Sequence, residues 1–169
     1  FVAEAAPSPG ASPWVETEHT RLRLIATSTS TSETAPVQLG LQFELQPGWK
    51  VYWRSPGDAG FPPKVDWKGS DNLLSATLQW PAPTRFSVLG FETLGYKKQV
   101  IFPVAIKSSQ PGAELDLKAR VRYLACDEIC TPYEARLGLT LPAGTAAPSQ
   151  YAHIINRYAA NVPGDGRRH

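Results

Sequence analysis

Apolar side chains occupy every second position at Val37, Leu39, Leu41, Phe43 and Leu45, and this period of two restricts the fold more than any other feature of the chain. Successive side chains of a strand point to opposite faces, so such a run suits a strand with one buried face; a helix would scatter the same groups around its axis. The alternation recurs at Leu22 and Leu24, at Val100, Phe102, Val104 and Ile106, from Leu115 to Tyr123, and at Tyr133, Ala135, Leu137, Leu139 and Leu141. Shorter strand candidates are Trp49 to Arg54, Lys64 to Trp67 and Leu73 to Trp80. Between them stand turn-forming groups: Gln46-Pro47-Gly48, Ser55-Pro56-Gly57-Asp58, Lys68-Gly69-Ser70-Asp71-Asn72 and Gln110-Pro111-Gly112. About eight short strands with such breaks predict an all-β fold, an immunoglobulin-like antiparallel β-sandwich.

Two stretches depart from the alternation. Ser149, Tyr151, Ile154, Ile155, Tyr158 and Val162 have helical spacing, with Ser149 as a capping residue and Pro163 as a stop, and predict a short amphipathic helix docked on the sandwich edge. Trp80 to Tyr96 carries Pro81, Pro83, Gly90 and Gly95 around Phe86 and Phe91, which reads either as a long functional loop or as an irregular edge strand with turns.

The whole chain has 169 residues, a net charge of +2, no Met, Gly 13 and Pro 16. That length suits one domain with its own core, and the near-neutral charge gives no basic stripe for nucleic acid. No apolar run approaches the ~18 residues of a membrane helix. The opening Phe-Val-Ala-Glu-Ala-Ala is expected to begin a processed or excised piece rather than a native translation start. Residues 1–13 are expected as a disordered lead-in, 14–145 as the sandwich domain, and 146–169 as the short helix with a tail that frays from Pro163.

The two cysteines, Cys126 and Cys130, stand between two predicted strands. Residues four apart in an extended chain are about 13 Å apart, whereas a disulfide needs Cα atoms within about 7 Å, so bonding requires a tight loop or a helical turn. As a staple such a bridge is weak: closing five residues is worth about 2 kcal/mol, against about 4.7 for a hundred-residue loop. A redox couple, an inert local disulfide and a metal site are three readings of the pair, the last needing ligands beyond two thiolates, with His19, His153 and His169 far off in sequence. Asp127 and Glu128 adjoin the cysteines and raise thiol pKa values, which predicts a sluggish thiol that reacts once docked on a partner.

Three motifs carry a resemblance: Val121 to Pro132 around the cysteines, Gly48-Trp49-Lys50-Val51-Tyr52-Trp53-Arg54-Ser55-Pro56-Gly57-Asp58, and Gly90-Phe91-Glu92-Thr93-Leu94-Gly95-Tyr96. Together, over roughly residues 14 to 142, they resemble the N-terminal periplasmic domain of the DsbD/ScsB family of membrane thiol-disulfide reductases of Gram-negative bacteria. The resemblance implies a periplasmic immunoglobulin-like domain, monomeric when isolated, without metal or other cofactor. It would take two electrons from the transmembrane domain of the same full-length protein and pass them to periplasmic thioredoxin-fold disulfide proteins. By position, Cys130 matches the cysteine that forms the mixed disulfide and Cys126 the one that resolves it. Phe86 to Tyr96 matches a cap loop over the pair, and Trp53, beside Tyr52, falls near the active-site aromatic, so that Trp53 is expected under the cysteines.

Two departures from DsbD itself stand out. Three residues separate the cysteines where DsbD has five, which is similar to the ScsB branch, linked to copper tolerance. Thr93 occupies the place of the DsbD shielding aromatic, although Glu92 and Gly95 match, so that Phe91, Leu94 or Phe86 is left to cover the sulfurs. Two other readings compete with the relay: a binding module for carbohydrate or peptide that uses the Trp and Tyr side chains, and a copper-holding domain. Exposed aromatics on one flat sheet face would favour the binding module, and aromatics clustered round Cys126 and Cys130 the relay.

Overall fold

The computed structural model describes residues 9–57, 60–88, 90–145 and 147–163. The frayed ends expected from sequence lie at 1–8 and 164–169 outside the described residues, as does Asp58. Residues 10–12, expected within the lead-in, are instead packed: Ala11 bridges to Ile25, the Ser12 N–H donates to the Leu24 carbonyl, and both side chains are buried.

Among the described residues, eleven strands and one helix follow one another as β1 (Val15–Glu16), β2 (Thr20–Ala26), β3 (Gln38–Leu45), β4 (Lys50–Gly57), β5 (Lys64–Asp66), β6 (Leu73–Leu78), β7 (Thr84–Val88), β8 (Phe91–Lys97), β9 (Gln99–Ser108), β10 (Leu115–Cys126), β11 (Cys130–Leu141) and α1 (Ala152–Ala160). One sheet has the order β1-β2-β3-β9-β6 and the other β11-β10-β4-β8-β7, with β5 also paired to β10; every pairing is antiparallel. Inward residues of both sheets build the core predicted by the alternation. Leu39, Leu41, Phe43, Phe102, Val121 and Tyr123 are fully buried there, and Phe43 meets Phe102 and Tyr123 edge to face at 5.7 and 5.0 Å.

Local chemistry sets the turns. In Gln46-Pro47-Gly48-Trp49 the Trp49 N–H donates to the Gln46 carbonyl and Gly48 has φ 88°, a sign that favours glycine; Gln110-Pro111-Gly112-Ala113 repeats the arrangement. Ser55-Pro56-Gly57 does not form the expected turn. It continues β4, whose register against β8 shifts between Tyr52 and Gly57, so the irregular step is absorbed inside the strand.

Trp80 to Tyr96 is not a long loop: after residues 80–83, which join no strand, β7 forms the sheet edge and pairs with β8, with Phe86 opposite Thr93 and Thr84 opposite Gly95. The hairpin lies at the sheet edge, where burial on each face is partial, so no apolar alternation announces it.

Helix α1 packs on the outer face of the five-stranded sheet rather than on an edge. Ile155 and Tyr151 join Ile25, Ile101 and Ala11 in a small second core. Gly40 makes room for it, since a Cβ there would stand 2.8 Å from Ile101 and 3.2 Å from Ile155. Tyr151, not the expected Ser149, is the N-cap, and it makes no side-chain capping bond; the Ser149 hydroxyl accepts the Tyr151 N–H at 3.0 Å and donates to the Ala26 carbonyl, tying the segment before the helix to β2.

Candidate active site

The cysteines face each other at the tip of the β10–β11 hairpin as the last cross-strand pair, with Cα atoms 4.1 Å apart and a bond between Sγ atoms. Residues 127–129 are the whole loop. The Asp127 N–H donates to the Ile129 carbonyl, and the Ile129 N–H donates to Asp127 Oδ1 at 3.0 Å, so the acidic side chain helps to close the turn. That hydrogen bond is the main reason the Asp127 carboxyl is held below the usual carboxylate range.

Alternation along β10 decides where the disulfide points. Val121, Tyr123 and Ala125 face the sandwich core, so Cys126 and Leu124 face the other way, onto the outer side of their sheet. There Cys126 and Tyr52, both fully buried, form a separate cluster with Phe86, Leu124 and Cys130 packed against them. Cys130 is half-buried, and Ile129 beside it is 70% exposed. One sulfur is thus enclosed while the other stands next to the surface.

Tyr52, not Trp53, is the aromatic at the cysteines; Trp53 points to the opposite face of β4 and packs against the sandwich core. The Tyr52 hydroxyl is buried without a hydrogen-bond partner among the described residues, and burial raises its pKa. Its ring lies under Gly60, where a Cβ would come within 2.6 Å of it.

Of the three side chains expected to cover the sulfurs, Phe86 is the one that packs against this cluster, its ring centre 6.2 Å from that of Tyr52. Phe91 is 50% exposed at the tip of the β7–β8 hairpin, and Leu94 lies on the other face of β8, in step with Tyr96. Gly95 permits the cover: a Cβ there would stand 2.2 Å from the Val51 carbonyl oxygen and 3.0 Å from the Phe86 ring. Thr93 is buried and ties the hairpin together, donating its hydroxyl to the Phe86 carbonyl at 3.1 Å. Glu92 and Glu128 are exposed.

Sequence reasoning missed Lys50, the cross-strand partner of Cys126, whose Nζ stands 5.3 Å from the centre of the Phe86 ring. It sits 76 positions before Cys126, and only strand pairing brings the two together. The aromatics form no flat exposed face among the described residues: Trp49, Tyr96 and Tyr123 are buried, Trp67, Trp80 and Tyr133 pack against the core, and Tyr52 and Phe86 flank the disulfide.

The family model of the DsbD thiol:disulfide interchange protein, N-terminal domain, matches residues 23–142. The chain belongs to this family. Among solved structures, the N-terminal periplasmic domain of ScsB from Proteus mirabilis is 31% identical and superposes with a TM-score of 0.74. The match covers 92% of this chain and 60% of that one, so the chain spans less than two thirds of its solved relative, and the similarity lies with the ScsB branch. The DsbD N-terminal domain of Neisseria meningitidis in the reduced form is 12% identical, with a TM-score of 0.38, over 76% of this chain and 90% of that one. No curated protein matches at a significant level.

Proposed function

We propose that the chain is a periplasmic thiol-disulfide exchange domain that reduces thioredoxin-fold partners and is itself recharged by the transmembrane domain of its full-length protein. The observation that carries this reading is the place of the disulfide. It spans a three-residue loop on the outer face of its sheet, under Phe86 and apart from the core, with Cys126 enclosed and Cys130 near the surface.

A bridge meant to hold the sandwich together would join distant segments, since stabilisation grows with the loop closed. The core contacts of β10 and β11 do not run through this bridge, which belongs to a separate cluster. In the proposed cycle the reduced pair begins as two thiols. The Cys130 thiolate attacks one sulfur of a partner disulfide, the other partner sulfur leaves as a thiolate and takes up a proton, and a mixed disulfide remains. The Cys126 thiolate then attacks Cys130 Sγ, forms the Cys126–Cys130 bond and releases the second partner thiol. Two electrons have moved to the partner, and a dithiol of the transmembrane domain restores the reduced pair. The attacking role belongs to Cys130 because it is the accessible sulfur; Cys126 lies within bonding reach behind it.

The test uses oxidised periplasmic thioredoxin-fold proteins of the Gram-negative envelope. A Cys126→Ser variant is expected to accumulate a mixed disulfide through Cys130, and a Cys130→Ser variant none. A reduced wild-type domain that leaves all of these proteins oxidised would overturn the reading.

A further inference from the structure

Cys130 on β11, Cys126 on β10, Lys50 on β4 and Lys97 on β8 form one row across the sheet, each the cross-strand partner of the next. Directly opposed residues in antiparallel strands share a face, and like charges placed so are destabilising. Two lysines side by side beside a disulfide therefore carry a structural cost. Lys50 is also held in place: its Nζ donates to the Gly48 carbonyl at 3.1 Å and stands over the ring of Phe86, which packs against the Tyr52–Cys126 cluster.

The chemistry of the pair supplies a use for that charge. Closing the disulfide requires Cys126 as a thiolate, yet Cys126 is fully buried, and burial in apolar surroundings disfavours a thiolate. The loop worsens the problem, because Asp127 and Glu128 add negative charge next to the sulfurs. We propose that Lys50, reinforced by Lys97, is the cationic group that lets the buried Cys126 ionise and so sets the rate at which a mixed disulfide on Cys130 is resolved. The inference rests on the exchange-active reading of the pair.

Other charged and titratable groups face the same place. Tyr52 on β4 presents a hydroxyl without a partner among the described residues, Asp127 and Glu128 close the hairpin, and His19, stacked on Trp49 at 3.8 Å between ring centres, lies within electrostatic reach of Asp127. Arg85 on β7 pairs with Leu94 and so lies on the opposite face. Lys50 differs from all of these in being a cation directly across from Cys126.

The experiment treats the reduced wild-type domain with neutral dithiodipyridine and follows release of thiopyridone across a pH series. The Cys130 thiolate attacks the probe, releasing one thiopyridone and leaving the other half bonded to Cys130. The Cys126 thiolate then displaces that half, forming the Cys126–Cys130 disulfide and releasing the second. Lys50→Gln is expected to slow the second release about tenfold near neutral pH, the effect of a thiol pKa raised by about one unit, and to move its pH midpoint upward. The first release should change far less. Lys50→Arg should restore the second release, and Lys97→Gln should slow it in the same direction by a smaller factor. A second release with unchanged rate and midpoint in Lys50→Gln, or Lys50→Arg as slow as Lys50→Gln, would overturn the assignment. Because the probe is a small molecule, this outcome is independent of whether the domain reduces thioredoxin-fold proteins, which the variants trapping mixed disulfides decide.

Discussion

Phe86 and Gly95 depend on each other. The ring can lie over the cysteine cluster because β8 carries no side chain at position 95, and any Cβ there collides with the Val51 carbonyl of the neighbouring strand. Gly95→Ala is therefore expected to cost about 1–3 kcal/mol, in the range of overpacked sites, and to displace the cover. Phe86→Ala removes the cover directly. Its expected cost is about 1–2 kcal/mol, below the ~3–5 of a fully buried Phe, since the ring is only partly enclosed. In both variants reduction of the disulfide by a small dithiol should speed up about tenfold, the factor corresponding to ~1.4 kcal/mol of lost contact. Rates equal to wild type in both would show that Phe86 does not guard the sulfurs. At this scale the cysteines and Gly95 were legible from motif alone. The choice between Tyr52 and Trp53 was not, because it turns on which face of β4 looks inward, and the neighbouring Tyr and Trp are equally suited to either side.

At the scale of elements, the long strands β3, β9, β10 and β11 could be read from alternation because each buries one face against the opposite sheet. The β7–β8 hairpin could not. It lies at an edge, its outer face carries Phe86, Thr93 and Gly95 beside the disulfide cluster, and only Tyr96 of β8 is buried in the main core, so no run of apolar residues marks it. The β10–β11 hairpin supports a prediction of its own. Its twelve residue pairs run from Leu115 opposite Leu141 to Cys126 opposite Cys130, and the bridge only closes the tip. Reduction should then cost about 2 kcal/mol and lower Tm by about 4–8 °C, with the strand content intact. Global unfolding of the reduced domain in a circular-dichroism melt would assign the bridge a structural role instead.

Across the whole molecule, two packed sheets enclose one main core, with a smaller apolar cluster on the outer face of each: the helix on one, the disulfide on the other. Alternation revealed the sandwich, but not which outer face would carry which cluster, since that follows from register among strands far apart in sequence. The core also fixes a dependence on alkaline pH. Burial pushes the Tyr123 phenol up to about 12, against the partial relief of its hydrogen bond with the Thr20 hydroxyl, and burial raises Tyr96 as well. A phenol that holds its proton more tightly when folded contributes its stability fully below pH ~10 and loses it as pH rises toward ~12, about 2–3 kcal/mol for Tyr123. Urea midpoints should fall across that interval, and Tyr123→Phe should flatten the fall; a flat wild-type profile would contradict the sign.

The central claim, that Cys126 and Cys130 form an exchange-active couple, is tested most directly by their equilibrium reduction potential, read by trapping free thiols after equilibration in graded dithiol/disulfide buffers. A value between about −120 and −270 mV, the range of exchange-active proteins, is the predicted result. A value well below about −300 mV, where structural disulfides lie, would contradict it.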